Sequence, residues 1–189
     1  MDSYQISLIA IPPICAFIGF LGKYVVDKRT QYLQNINSKK LDIVESKLKK
    51  FYYPVHSNLL RENIIWNKVL NFYLSINDVD TEVEFIHKIF WELDKEMLEI
   101  HLDNQRLIQN NIIEMHLDET LTNSLMSYDE HVTIYNIIRK VEPDRPMDMD
   151  KVKWPAMFGS EYPREVLGLI DSQLKLLKKE QNDLIYSIV

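Results

Sequence analysis

From Ser3 to Gly22 the chain carries no charged residue, and Ile6, Leu8, Ile9, Ile11, Ile14, Phe17, Ile18, Phe20 and Leu21 make the stretch strongly apolar. That length is close to the ~20 residues a helix needs to cross roughly 30 Å of hydrocarbon. The sequence therefore reads as one retained membrane span at the N-terminus, with a helix buried in the protein's own core as the alternative. A cleaved signal peptide fits less well, because the n-region is Met1-Asp2-Ser3-Tyr4 and no A-x-A pattern follows. Pro12-Pro13-Ile14 ahead of Cys15 is likewise a poor context for a lipoprotein.

The flanks set an orientation. Lys23, Lys28, Arg29, Lys39 and Lys40 follow the span and only Asp2 precedes it, so the excess of positive charge places the bulk of the chain in the cytoplasm. Tyr4 and Tyr24 bracket the run as interfacial aromatics do. The expected division is a membrane segment over 1–30, its span at about 4–24, and a cytosolic domain over 31–189. Charge is segregated along that domain: residues 31–75 sum to +4 and residues 76–140 to −9.

Inside the run, Pro12 and Pro13 each lack a backbone donor, so the helix either kinks there or starts there with proline in its first turn. Cys15, Gly19 and Gly22 put small residues near one face, where helix backbones approach each other in membranes. These two features predict self-association.

The rest of the chain reads as all-α. Between Val55 and Glu142 there is neither Gly nor Pro, and apolar residues recur at spacings of three and four. A first helix is expected to run on through Gln31 to Lys50 with Leu41, Val44 and Leu48 inward, to break at Pro54, and to resume through Leu59 and Ile65 to Ile76. Asp80 or Thr81 caps the next, with Val83, Ile86, Ile89 or Phe90, Leu93, Met97 and Ile100 as its buried face. Asp118 caps another, carrying Leu121, Leu125, Tyr128, Val132, Tyr135 and Ile138. A long proline-rich loop over 142–163 precedes a last amphipathic helix that starts at Pro163 and reaches Ile188.

Catalytic patterns are scarce. With Gly159 and Gly168 the only glycines beyond the apolar run, no phosphate-cradling glycine loop can be drawn, and no G-x-S-x-G occurs. One cysteine, inside the apolar run, offers neither a thiolate metal cluster nor a soluble nucleophile. The reading is a non-enzyme without a cofactor. Glu84 and His87 form one E-x-x-H, but the two-metal helical bundles need a second pair, which is missing. Glu99-Ile100-His101-Leu102-Asp103 and Glu114-Met115-His116-Leu117-Asp118 are near-identical pentads fifteen residues apart, read as recurring helix-end chemistry rather than a metal site.

Basic and aromatic residues carry the binding expectation. Lys39, Lys40, Lys47 and Lys50 lead into Tyr52 and Tyr53, and Arg61 and Lys68 fall seven apart on the following helix. Cations beside stacking rings suit a nucleotide or single-stranded oligonucleotide; contact with acidic lipid headgroups, with the aromatics filling the core, is the plainer alternative. A second mixed patch lies in and around the loop, where Arg139, Lys153, Trp154, Phe158, Tyr162 and Arg164 combine guanidinium and aromatic planes.

At Lys49-Lys50-Phe51-Tyr52-Tyr53-Pro54, after one span and a lysine-rich segment, the chain resembles a group of bacterial single-pass membrane proteins with a helical cytosolic domain. The resemblance covers roughly residues 5–75. By architecture it is similar to small membrane effectors of anti-phage defence, including the Hailong-type channel effector. The resemblance implies a homo-oligomer in the bacterial inner membrane, a tetramer among its candidate forms, opened by a nucleotide signal from a partner enzyme. On that expectation Gln5 and Ser7 line the opening and Asp27 stands at its cytosolic mouth. Cations are favoured if Asp27 faces the axis, anions if Lys23 and Lys28 do. A membrane-anchored scaffold that recruits a cytosolic partner, without a pore, is the competing expectation.

Overall fold

The computed structural model describes residues 3–70, 83–115, 117–142 and 151–188, with side chains described for 17–67, 85, 87–115, 117–142 and 151–188. Among these residues the chain is all-α, without a strand. The helices are α1 (Ser3–Lys47), α2 (Tyr53–Ile64), α3 (Val83–Asn111), α4 (Glu119–Val141) and α5 (Val166–Ile188). A π-turn at Leu48–Tyr52 joins α1 to α2, a second at Ile65–Leu70 follows α2, and a 3-10 turn spans Pro155–Phe158. The chain divides into two compact units, Met1–Glu45 with Lys179–Val189, and Ser46–Lys178.

In the first unit α1 begins at Ser3, so Pro12 and Pro13 lie within the helix and do not open it. This excludes a helix start at the prolines. From Phe17 onward the apolar side chains are uncovered: Phe17, Ile18, Phe20 and Leu21 are 62, 63, 67 and 44% exposed. At 100° per residue these four positions share one side of the helix, an arc of roughly 160°. Further along, the end of α5 runs antiparallel to α1. Asn37 Nδ2 donates to Ser187 Oγ at 2.9 Å, Gln34 Nε2 to the Ile188 carbonyl at 3.4 Å, and Gln181 Nε2 to Glu45 Oε1 at 3.4 Å. Among the described residues no helix is long and apolar enough to cross a membrane. Most of the apolar run, residues 3–16, has its side chains outside that description.

The second unit opens with a departure from the expected break at Pro54. The backbone stays helical through it, and the adjustment falls in the turn before: the Tyr53 N–H bonds to the Leu48 carbonyl five residues back. A π-turn widens the helix where the proline ring would press on the carbonyl four residues earlier. Pro54 then sits in the first turn of α2, where its missing donor costs nothing. Phe51, Tyr52, Val55 and Leu59 are buried behind it.

α3 is the central helix of this unit, packed against both α2 and α4. Phe90, Met97 and Ile100 of the expected apolar face are buried, and polar side chains share the interior with them. His87, Asp94, His101 and Ile108 recur every seven residues, with Phe90, Met97 and Asn104 between them, and all seven are buried. Ile89, by contrast, is 40% exposed and Leu93 is half-buried. A spacing of 3.5 keeps residues on one helix face, so polar side chains occupy the middle of the bundle. α4 presents the matching stripe, Leu121, Leu125, Tyr128, Val132, Tyr135 and Ile138, as the spacing predicts.

Asp118 caps α4 as expected: its Oδ1 accepts the Leu121 N–H at 2.9 Å, and its Oδ2 accepts from Gln173 of α5 at 2.9 Å. The caps at Asp80 or Thr81, and the helix beyond Leu70, lie outside the described residues. In the loop before α5, Gly159 takes a φ of 80°, and the Ser160 and Gly159 N–H groups return to the Pro155 and Ala156 carbonyls at 3.2 and 3.1 Å. Those paired bonds close a Schellman turn, whose left-handed position favours glycine. α5 starts at Val166, with Pro163 just ahead supplying a carbonyl to it, and Val166, Ile170 and Leu174 seal the unit.

Candidate ligand site

Two polar clusters interrupt the core where α2, α3 and α4 meet. The first surrounds Glu62 of α2, which is 3% exposed. Its Oε1 accepts from the Tyr128 hydroxyl and from Asn104 Nδ2 at 3.1 Å, with His101 Nδ1 at 3.0 Å. Its Oε2 accepts from the Tyr162 hydroxyl at 3.1 Å. The Tyr128 oxygen, having given its hydrogen to Glu62, faces His101 Nδ1 at 2.9 Å and accepts from Asn104 at 3.2 Å. His101 Nδ1 thus has two acceptors before it and carries a proton. Asn104 Oδ1 is buried without a hydrogen-bond partner.

Burial first, then the negative charge of Glu62, raises the hydroxyl pKa values of Tyr128 and Tyr162 well above the ordinary tyrosine range. These phenols stay protonated and keep donating. His131 of α4 stands beside them, its ring centroid 5.9 Å from that of His101. Its Nδ1 donates to the Ser160 carbonyl at 3.1 Å, the group positioned by the Gly159 turn. Burial drives its pKa from 6.5 down to about 4, outweighing the Ser160 hydrogen bond, so the ring is neutral at pH 7 and its Nε2 is an acceptor.

The second cluster is a buried ion pair. Arg139 of α4 holds Asp94 of α3 with Nε to Oδ2 at 3.0 Å and Nη2 to Oδ1 at 3.2 Å, and gives Nη1 to the Lys153 carbonyl at 3.1 Å. The Tyr135 hydroxyl donates to the same carboxylate. Trp91, Tyr135 and Trp154 surround the guanidinium at 5.6, 4.8 and 5.1 Å from their ring centroids. Arg139 is therefore a core residue, and the loop pairs with it through Lys153 and Trp154.

Between the two clusters and the loop lies a cavity of about 840 Å³. Glu62, His101, His131 and Tyr135 form part of its wall, Trp66, Trp154 and Tyr162 add aromatic surface, and Glu161 and Arg164 are exposed lining residues of opposite charge. The volume is that of a small-molecule pocket. Among the described residues no three His, Cys, Asp or Glu side chains are grouped so as to hold a metal ion.

The basic and aromatic residues expected to bind a ligand do not converge on this cavity. Lys39 and Lys40 are exposed on α1 in the first unit, and Lys50 is exposed in the π-turn. Lys47 donates to the Met115 carbonyl at 2.9 Å and Arg61 pairs with Glu96 at 3.0 Å. Tyr52 is buried edge-on to Phe51 and fills core, whereas Tyr53 is 40% exposed with the Lys178 ammonium 5.3 Å from its ring centre. The side chain of Lys68 lies outside the described residues, as do those of Gln5, Ser7, Pro12, Pro13 and Cys15. Asp27 is exposed, and a Cβ placed on Gly19 or Gly22 meets no atom within 4 Å. Of the loop patch, Trp154, Tyr162 and Arg164 do reach the cavity.

Comparison with known proteins adds no relative. No protein-family model, curated protein or solved structure matches the chain. Glu62, His101 and His131 were not singled out from the sequence as site residues. The available signal was the seven-residue recurrence of His87, Asp94 and His101 on one stripe of α3.

Proposed function

We propose that this chain is a membrane-inserted homo-oligomer of the bacterial inner membrane, with its N-terminal helices gathered into an ion-conducting pore and its helical unit in the cytoplasm. A small ligand in the cavity of the second unit sets whether the pore conducts. The observation that carries the membrane reading is the uncovered apolar face of α1 at Phe17, Ile18, Phe20 and Leu21, continuing the charge-free run from Ser3. A wide uncovered apolar face on a charge-free helical run of about 20 residues is stable in lipid or against protein, and is poorly suited to water. Gln5, Ser7 and Asp27 are the residues assigned to the opening, and Cys15, Gly19 and Gly22 to contacts between copies.

The test is conductance of the purified oligomer in planar bilayers, with and without cytosolic extract as a source of ligand. Ion flux that is lost when Pro12, Pro13 and Gly19 are all replaced by leucine supports the pore. Membrane insertion without conductance under any condition overturns it in favour of an anchored scaffold.

A further inference from the structure

We propose that the cavity of the second unit selects a small organic cation, a protonated amine on an apolar body. The argument starts from Glu62. Its carboxylate is buried, and the groups that bond to it are two phenols, an amide and an imidazole, with no lysine or arginine among them. The arginine buried nearby, Arg139, is matched to Asp94. A buried carboxylate with no lysine or arginine beside it presents its negative field to the adjoining cavity, whose wall it forms.

Three further features favour the same ligand. The Nε2 atom of His131 is an acceptor, because its ring has committed the Nδ1 proton to the Ser160 carbonyl, and an ammonium group carries only donors. Trp66, Trp154 and Tyr162 line the space with aromatic rings, whose faces attract cations. The exposed Glu161 and Arg164 offset each other, so an anion gains one guanidinium while meeting Glu62 behind it. At about 840 Å³ the cavity has room for an arylalkylamine.

The inference names the ligand class for the cavity in the function proposed above, but its test does not depend on the pore. The full chain in detergent is titrated, following tryptophan fluorescence from Trp66 and Trp154, with 2-phenylethylammonium, 2-phenylethanol and phenylacetate, three probes of one shape and different charge. The expected result is saturable binding of the ammonium at least about tenfold tighter than the alcohol, a factor equivalent to ~1.4 kcal/mol, with phenylacetate weakest. Glu62→Gln is expected to remove most of the preference over the alcohol. Should that variant fail to fold, His131→Phe serves instead, lowering ammonium affinity about tenfold and leaving the alcohol unchanged. Absence of saturable ammonium binding, or binding of phenylacetate as tight as the ammonium, overturns the inference. Either result leaves the conductance measurement standing, and absence of conductance leaves the binding result standing.

Discussion

Arg139 and Asp94 form a two-point ion pair with neither side chain more than 3% exposed. Because Trp91, Tyr135 and Trp154 pack around the guanidinium, removing the carboxylate alone leaves a cation with no route to water. Asp94→Ala is expected to cost about 3–5 kcal/mol, a fall in melting temperature of roughly 10 °C for a chain of this size. The double variant Asp94→Leu with Arg139→Met should recover much of the loss, since an apolar pair of similar volume replaces a desolvated one. Thermal melts of the three proteins in one detergent check both statements.

The neutral His131 ring makes stability depend on acid. Its folded pKa of about 4 lies below the ordinary 6.5 because of burial, so the unfolded chain binds the proton more readily. Stability is therefore full above about pH 6.5 and declines as pH falls toward 4. His131→Asn is expected to lose less melting temperature than the parent between pH 7 and pH 5. A parallel decline in both proteins would contradict the assignment.

Gly159 governs the same histidine at one remove. A side chain at its φ of 80° is strained by roughly 1–2 kcal/mol, and relieving that strain moves the Ser160 carbonyl away from His131 Nδ1. Gly159→Val is expected to lower the melting temperature by a few degrees and to lower the pKa of His131 further, because the Ser160 hydrogen bond that partly offsets burial is lost, followed by the pH dependence of its ring proton resonances.

Asp118 joins two helices through separate oxygens, capping α4 at Leu121 and receiving Gln173 of α5. Asp118→Ala is expected to cost about 0.5–2 kcal/mol. Asp118→Asn retains a capping oxygen and should cost less than half as much in the same melt.

The legible parts of this fold are those decided locally. The cap at Asp118 and the buried face of α4 follow from residue type and spacing within one helix, and both are present as expected. The face of α3 was legible in part: Phe90, Met97 and Ile100 are buried as expected, but hydropathy selects apolar side chains and so misses His87, Asp94, His101 and Asn104 beside them. His101, Asp94 and the Asn104 amide nitrogen find partners there in Glu62, Tyr128 and Arg139, and the Glu62–Tyr128 bond alone spans 66 residues of sequence. Such pairings depend on which helices meet, which no single-helix pattern encodes. Pro54 was misread for a related reason: the π-turn before it accommodates the ring without ending the helix.

The first unit takes its material from both ends of the sequence, residues 1–45 and 179–189, while 46–178 supply the second. During synthesis the ribosome thus delivers α1 long before the strand of helix that pairs with Gln34, Asn37 and Glu45. The second unit has every residue it needs while α1 is still waiting. A nascent chain in that interval presents residues 34–45 of α1 without their hydrogen-bonding partners on α5.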